Sequence, residues 1–127
     1  MTGIVLAHRL PFISVTLHAN GQALVLERVL LDTGSVGTAF KTEDVQQIGV
    51  FLKPTDRIVR LQGVGGMEIV VQTQIEALQV GDLVVRPMVI QLGELDYAIP
   101  MDGILGLDFL LQTGAHIDFK ALTIRKS

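Results

Sequence analysis

At 127 residues the chain is the size of a single domain, long enough for a core but too short for two such domains. Apolar residues make up 49% of it and charged residues only 18%, a low charged share that predicts some apolar surface covered by a partner. The net charge of −3 comes with no basic stripe, which leaves nucleic-acid binding without support, and the lack of cysteine excludes disulfides, thiolate metal sites and a cysteine nucleophile.

Residues 4–7 form one short apolar stretch before His8-Arg9, too short for the core of a signal peptide. No later run approaches the roughly 20 residues of a membrane span, so a soluble, cytoplasmic chain without membrane contact is expected. Residues 12–17 alternate as a half-buried strand does, Asn20-Gly21 is a strong hairpin turn, and residues 22–26 return as the second strand. Residues 29–31 are continuously apolar, like a strand buried on both faces. Residues 42–48 read as a short helix with Thr42 as N-cap, Glu43 and Asp44 in its first turn and Gly49 as its stop.

Residues 57–62 and 67–72 flank Gly63-Val64-Gly65-Gly66, the pattern of a long hairpin with a glycine-rich tip. Residues 73–80 and 83–92 read as two more strands turning at Gly81-Asp82. Residues 106–112 form a short helix with a mostly apolar face, and residues 115–119 and 122–125 a closing hairpin. Together these give about eight or nine strands and two short helices, best accommodated by one all-β barrel spanning residues 1–127.

The chemistry is concentrated in Val29-Leu30-Leu31-Asp32-Thr33-Gly34-Ser35. Here an ionisable side chain ends a buried strand and is followed by a small turn. A carboxylate in that position needs hydrogen-bond donors, because desolvation otherwise favours its neutral form. Gly34 lets a backbone amide come close, and Thr33 and Ser35 add hydroxyls. Taken alone, the tripeptide is better explained by an ordinary Asx turn. Two further features alter that balance: Gly103-Ile104-Leu105-Gly106-Leu107-Asp108-Phe109-Leu110, about seventy residues on, and the glycine-tipped hairpin between the two motifs.

This combination resembles the retropepsin-like aspartic peptidases, which include the retroviral proteases, the protease domain of the DNA-damage-inducible ubiquitin-shuttle proteins and bacterial single-domain relatives. The resemblance covers residues 12–125 and is nearer the bacterial and shuttle-protein branch than the retroviral enzymes. It implies a closed acid-protease-type β-barrel with a flap hairpin, assembled as a homodimer that cuts peptide or protein substrates without cofactor or metal. Asp32 would be the catalytic carboxylate. Thr33 would bond across the dimer axis, Gly34 would offer its amide to the carboxylate, and Ser35 would donate to the outer oxygen of Asp32. Gly63, Val64, Gly65 and Gly66 would form the flap tip. Ile104, Leu105 and Gly106 would support the loop from beneath.

Only one Asp-Thr-Gly is present, and Asp102-Gly103 lacks the threonine, so the resemblance implies two copies around a two-fold axis. Retroviral members carry an arginine after the apolar-apolar-Gly element that pairs with an acid near the catalytic loop. Those places hold Leu107 and Val36-Gly37 here, so the dimer contacts must differ; Asp108 reads as a structural helix residue. A non-catalytic dimerising or peptide-binding module with the same fold is the alternative reading, and a domain cut from a longer protein is another.

The remaining candidates carry less. His8, His18 and His116 lack metal-ligand spacing, and no nucleophile elbow surrounds Ser35. Gly63-Val64-Gly65-Gly66 lacks the lysine and helix of a phosphate loop. Glu94, Asp96 and Asp102 do not fit a calcium loop and read as a solvated acidic segment that, with Tyr97, rims a groove. Val36, Val64, Met67 and Ile99 are the candidates for side-chain pockets.

Overall fold

The computed structural model describes residues 1–63, 66–95 and 97–127. The flap-tip residues Val64 and Gly65, and Asp96, lie outside them. Thirteen strands occur among the described residues: β1 (Thr2–Gly3), β2 (Val5–Ala7), β3 (Leu10–Ala19), β4 (Gln22–Leu31), β5 (Ala39–Lys41), β6 (Arg57–Gly63), β7 (Gly66–Ile75), β8 (Ala77–Val80), β9 (Leu83–Val85), β10 (Met88–Gly93), β11 (Gly103–Leu105), β12 (His116–Asp118) and β13 (Thr123–Arg125). The helices are α1 (Thr42–Val45), continued by a 3-10 turn over Gln46–Ile48, and α2 (Leu107–Thr113).

The strongest local signals form as their chemistry requires. Asn20 and Gly21 both have positive φ, 53° and 69°, as a two-residue hairpin turn between β3 and β4 demands. The Asn20 side chain also donates to the Ile48 carbonyl at 2.9 Å, tying that turn to the end of the 3-10 segment. Gly49 ends that segment in the left-handed conformation at φ 74°. Thr42, expected as the N-cap, is instead the first helical residue. Lys41 occupies the cap position, without a side-chain bond, because β5 runs directly into α1.

Two expected long strands are each broken. The first bends at Glu76 into β7 and β8, and the second is interrupted at Arg86-Pro87 between β9 and β10. Proline has no N–H to give a ladder. The halves then go to different neighbours: β8 pairs with β9 and β3, whereas β10 pairs with β7 and β5.

Ten strands make one sheet in the order β6-β7-β10-β5-β11-β4-β3-β8-β9, with β2 beside β3. The expected closed barrel needs correction: among the described residues β6 and β9 end the path and no ladder joins them. The sheet coils around one core without closing. Leu83 and Val85 of β9 belong to the same buried cluster as Ile75 of β7 and Ile90 and Leu92 of β10, and α2 packs on β9. A separate small sheet, β1-β13-β12, joins the two ends of the chain.

Two parallel ladders escaped sequence reading. β11 lies between β4, with which it is parallel, and β5, with which it is antiparallel; β5 is in turn parallel to β10. Strand alternation divides this region into two faces. Val29, Leu31 and Leu105 enter the main core, while Leu30 and Ile104 point the other way, into a smaller cluster with Phe12 and Met101.

The closing hairpin carries its own pH dependence. Asp118 Oδ1 accepts from the amides of Lys120 and Ala121, both at 2.9 Å. Those bonds, led by that of Ala121, hold the Asp118 carboxyl below its ordinary value of 3.8. A carboxyl depressed in the folded state contributes stability above its unfolded value and loses it as pH falls through the folded one. Thermal melts of wild type and Asp118→Ala are therefore expected to differ at neutral pH, wild type being the more stable, with the gap closing below about pH 3.8.

Candidate active site

Strand β4 runs out at Leu31, and the next amide, that of Asp32, still donates to the Leu105 carbonyl at 3.0 Å. Asp32 thus extends the parallel ladder by one step, on the face of Leu30 rather than of Leu31. Its carboxylate is half-buried, and Oδ1 accepts the Gly34 amide at 2.9 Å. The Ser35 amide closes the turn onto the Asp32 carbonyl at 3.2 Å. Thr33 and Gly34 are exposed at the tip.

Ser35 differs from expectation. Its buried hydroxyl donates to the Gly37 carbonyl at 2.9 Å, so it shapes the return of the loop instead of serving the Asp32 carboxylate.

The loop then wraps over the start of α2. Leu107 N donates to Ser35 O at 2.8 Å, and Asp108 N to Val36 O at 3.3 Å. Gly106 makes this approach possible: a Cβ there would lie 2.5 Å from Gly37 O and 2.9 Å from Ser35 O, closer than a side chain tolerates. Ile104, Leu105 and Gly106 are all buried.

Sequence reading missed the residue that locks this arrangement. Thr38 is fully buried, and its hydroxyl donates to Asp108 Oδ1 at 2.6 Å while accepting the Gly106 amide at 3.0 Å. The Thr38 amide donates to Asp108 Oδ2 at 3.1 Å, and Asp108 Oδ1 also accepts the amide of Phe109 at 2.8 Å. Asp108, read only as a helix residue, is therefore the anchor of the loop. The available signal was an acid two positions after the glycine on which the loop rests.

The other candidates fall into place separately. Asp102 pins β11 to β4: its Oδ2 accepts the Arg28 amide at 3.0 Å, and its own amide donates to Arg28 O at 2.7 Å. That is a structural task, and among the described residues no group of three His, Cys, Asp or Glu could hold a metal. His18 pairs with Gln79 at 2.9 Å, between β3 and β8, and His8 lies in the β2–β3 turn. Ile99 packs on the small cluster of Phe12, Met101 and Ile104, and Val36 is 65% exposed beside the loop. Gly63 and Gly66 face each other at the end of the β6–β7 ladder. Beyond Val71 this hairpin leaves the sheet, because residues 66–70 of β7 pair with β6 alone.

A family model described as Aspartyl protease matches residues 13–109, from β3 into α2. No curated protein matches the chain.

The loop anchor is open to a double-mutant cycle. Thr38→Val strands the Gly106 amide and weakens the seat of a carboxylate, so urea unfolding is expected to show a loss of roughly 3 kcal/mol. Asp108→Ala should cost a comparable amount, and the double variant much less than the sum, with a coupling above about 1 kcal/mol.

Proposed function

The chain belongs to the aspartyl protease family, and from that premise we propose that it is a homodimeric, retropepsin-like endopeptidase whose active centre is built from Asp32 of two copies. The observation that carries this reading is the position of Asp32. It is a half-buried carboxylate at the end of a sheet ladder, steadied on one oxygen by the Gly34 amide and open to solvent at the loop tip.

Two such carboxylates brought together cannot both ionise cheaply, so they share a proton. The ionised member takes a proton from a water whose oxygen attacks the peptide carbonyl carbon. The protonated member donates to the carbonyl oxygen. When the tetrahedral intermediate collapses, the carbon–nitrogen bond breaks, the nitrogen receives a proton from the pair, and an amine and a carboxylic acid leave. No covalent enzyme intermediate is needed.

Each chain offers one Asp32, so the second must come from a copy. Exposed Thr33 would cross the two-fold axis to the partner's loop. The terminal strands already pair within the chain through β1-β13-β12. We therefore assign the dimer contact to the loop and the exposed apolar side of α2: Val36 at 65%, Leu107 at 36% and Leu111 at 72% exposure. Leu107 and Leu111 are one helical turn apart and share a face. Leu107 and Val36-Gly37 stand where retroviral enzymes carry an ion pair, which favours the non-retroviral branch. The overhanging β6–β7 hairpin acts as the flap, with Gly63 and Gly66 paired at the end of its ladder. Leu30 and Ile104, on the face of Asp32, line the groove with Phe12 and Ile99 and favour an apolar side chain beside the cut bond.

The test is subunit mixing. Wild type should cleave peptides from a diverse mixture, and Asp32→Asn alone should cleave none. When the two are mixed in equal amounts at constant total protein and allowed to exchange, activity should fall to about a quarter of that of wild type, because only wild-type pairs hold both carboxylates. A fall to only about half would mean that each chain works alone. Absence of cleavage by folded wild-type dimer would leave the non-catalytic module standing.

A further inference from the structure

Gln91 is out of keeping with its surroundings. It lies in the middle of β10, only 4% exposed, and its side-chain carbonyl is buried without a hydrogen-bond partner. Its backbone amide donates to Thr38 O at 2.9 Å. Buried acceptors are nearly always paired, and an orphan calls for an explanation.

The sheet register fixes which way the side chain points. Its neighbours Ile90 and Leu92 enter the main core at 0% and 2% exposure, so Gln91 faces away from it. Gln91 is opposite Ala39, Ala39 opposite Ile104, and Ile104 opposite Leu30. Paired residues share a face, and Leu30 shares its face with Asp32, two residues on. Gln91 is thus on the face of the candidate catalytic carboxylate, three strands away, or about 14 Å at 4.8 Å per step.

We propose that Gln91 is a specificity-determining residue, whose carbonyl accepts a hydrogen bond from a hydroxyl or amide side chain of the bound peptide a few residues from the cut bond. This rests on the peptidase reading for the nature of the ligand. The immediate surroundings give the carbonyl no substitute. Gln72, directly opposite on β7, does not reach it. Of the other neighbours on that face, Ala39 and Gly93 are small and Val89 is apolar, so none of the three supplies a partner. A resident water needs two to four polar partners, and this face provides few. A peptide in the groove advances about 3.3 Å per residue, so side chains a few positions from the scissile bond come within range of Gln91. The apolar wall at Leu30 and Ile104 selects an apolar residue beside the bond; Gln91 adds a polar requirement further along.

The experiment compares paired peptides carrying threonine or valine at one position at a time, around an uncleavable reduced bond. Threonine and valine have nearly the same shape, so a difference reads the hydroxyl. Binding to wild type, Gln91→Leu and Gln91→Met is measured by calorimetry, with cleavage of the matching ordinary peptides followed in parallel. At one position wild type is expected to favour threonine about five- to tenfold. In both variants that preference should vanish or reverse while the other positions stay unchanged. Equal binding of the pair by wild type at every position, a preference that survives both variants, or no binding at all would overturn the proposal. Preference in binding without any cleavage would instead sink the peptidase reading and leave the role of Gln91 intact.

Discussion

Asp108 holds both hydrogen-bonding groups of Thr38, hydroxyl and amide, on its two carboxylate oxygens. Through that grip the start of α2 is fastened to the far end of the Asp32 loop. Thr38 in turn accepts the Gly106 amide and, through its carbonyl, the amide of Gln91. One buried residue therefore ties together the loop, the support beneath it and the neighbouring strand β10. A charge-assisted pair of this kind is worth most where water is excluded, and Thr38 is fully buried. Without it, the bonds that hold the loop to Gln91, Leu105, Leu107 and Asp108 among the described residues are backbone to backbone.

The same arrangement explains why Gly106 cannot be an ordinary residue. The loop descends on it so closely that a methyl group would meet the carbonyls of Gly37 and Ser35. Close contact and the Thr38 anchor depend on each other. The bond from the Gly106 amide to Thr38 forms only if the loop comes down, and the loop comes down only where no Cβ opposes it. This links the two motifs separated by about seventy residues in the chain through steric fit and a shared polar network.

Much of the local structure was legible. Asn20-Gly21 announced its turn, Gly49 its helix end, and Val29 to Asp32 a strand leading into a carboxylate. What escaped was non-local. Nothing in Gly103-Ile104-Leu105 says that it inserts between β4 and β5, because a short apolar run reads alike in any buried strand. The breaks at Glu76 and Arg86-Pro87 were hidden because alternation continues on both sides of them. The resemblance assigns the Ser35 hydroxyl to the Asp32 carboxylate, yet it donates to the Gly37 carbonyl two residues on, a choice set by the path of the loop. Thr38 and Gln91 were passed over because they sit among apolar residues, where a polar side chain acquires meaning only once its partners, or their absence, are known.

Strand alternation then accounts for the division of labour. Along β4, Val29 and Leu31 serve the core, whereas Leu30 and Asp32 serve the opposite face. β10 repeats the pattern, with Ile90 and Leu92 inward and Gln91 outward. The core-facing set is uniformly apolar, as stability requires. The opposite set mixes apolar residues with one carboxylate and one amide whose carbonyl is unpaired, two polar groups that a packed core does not need. An unpartnered carbonyl in such a place costs stability that leucine would not. Its presence on the face of Asp32 is more economically explained by a ligand than by the needs of the fold, since the same strand fills its core positions with isoleucine and leucine.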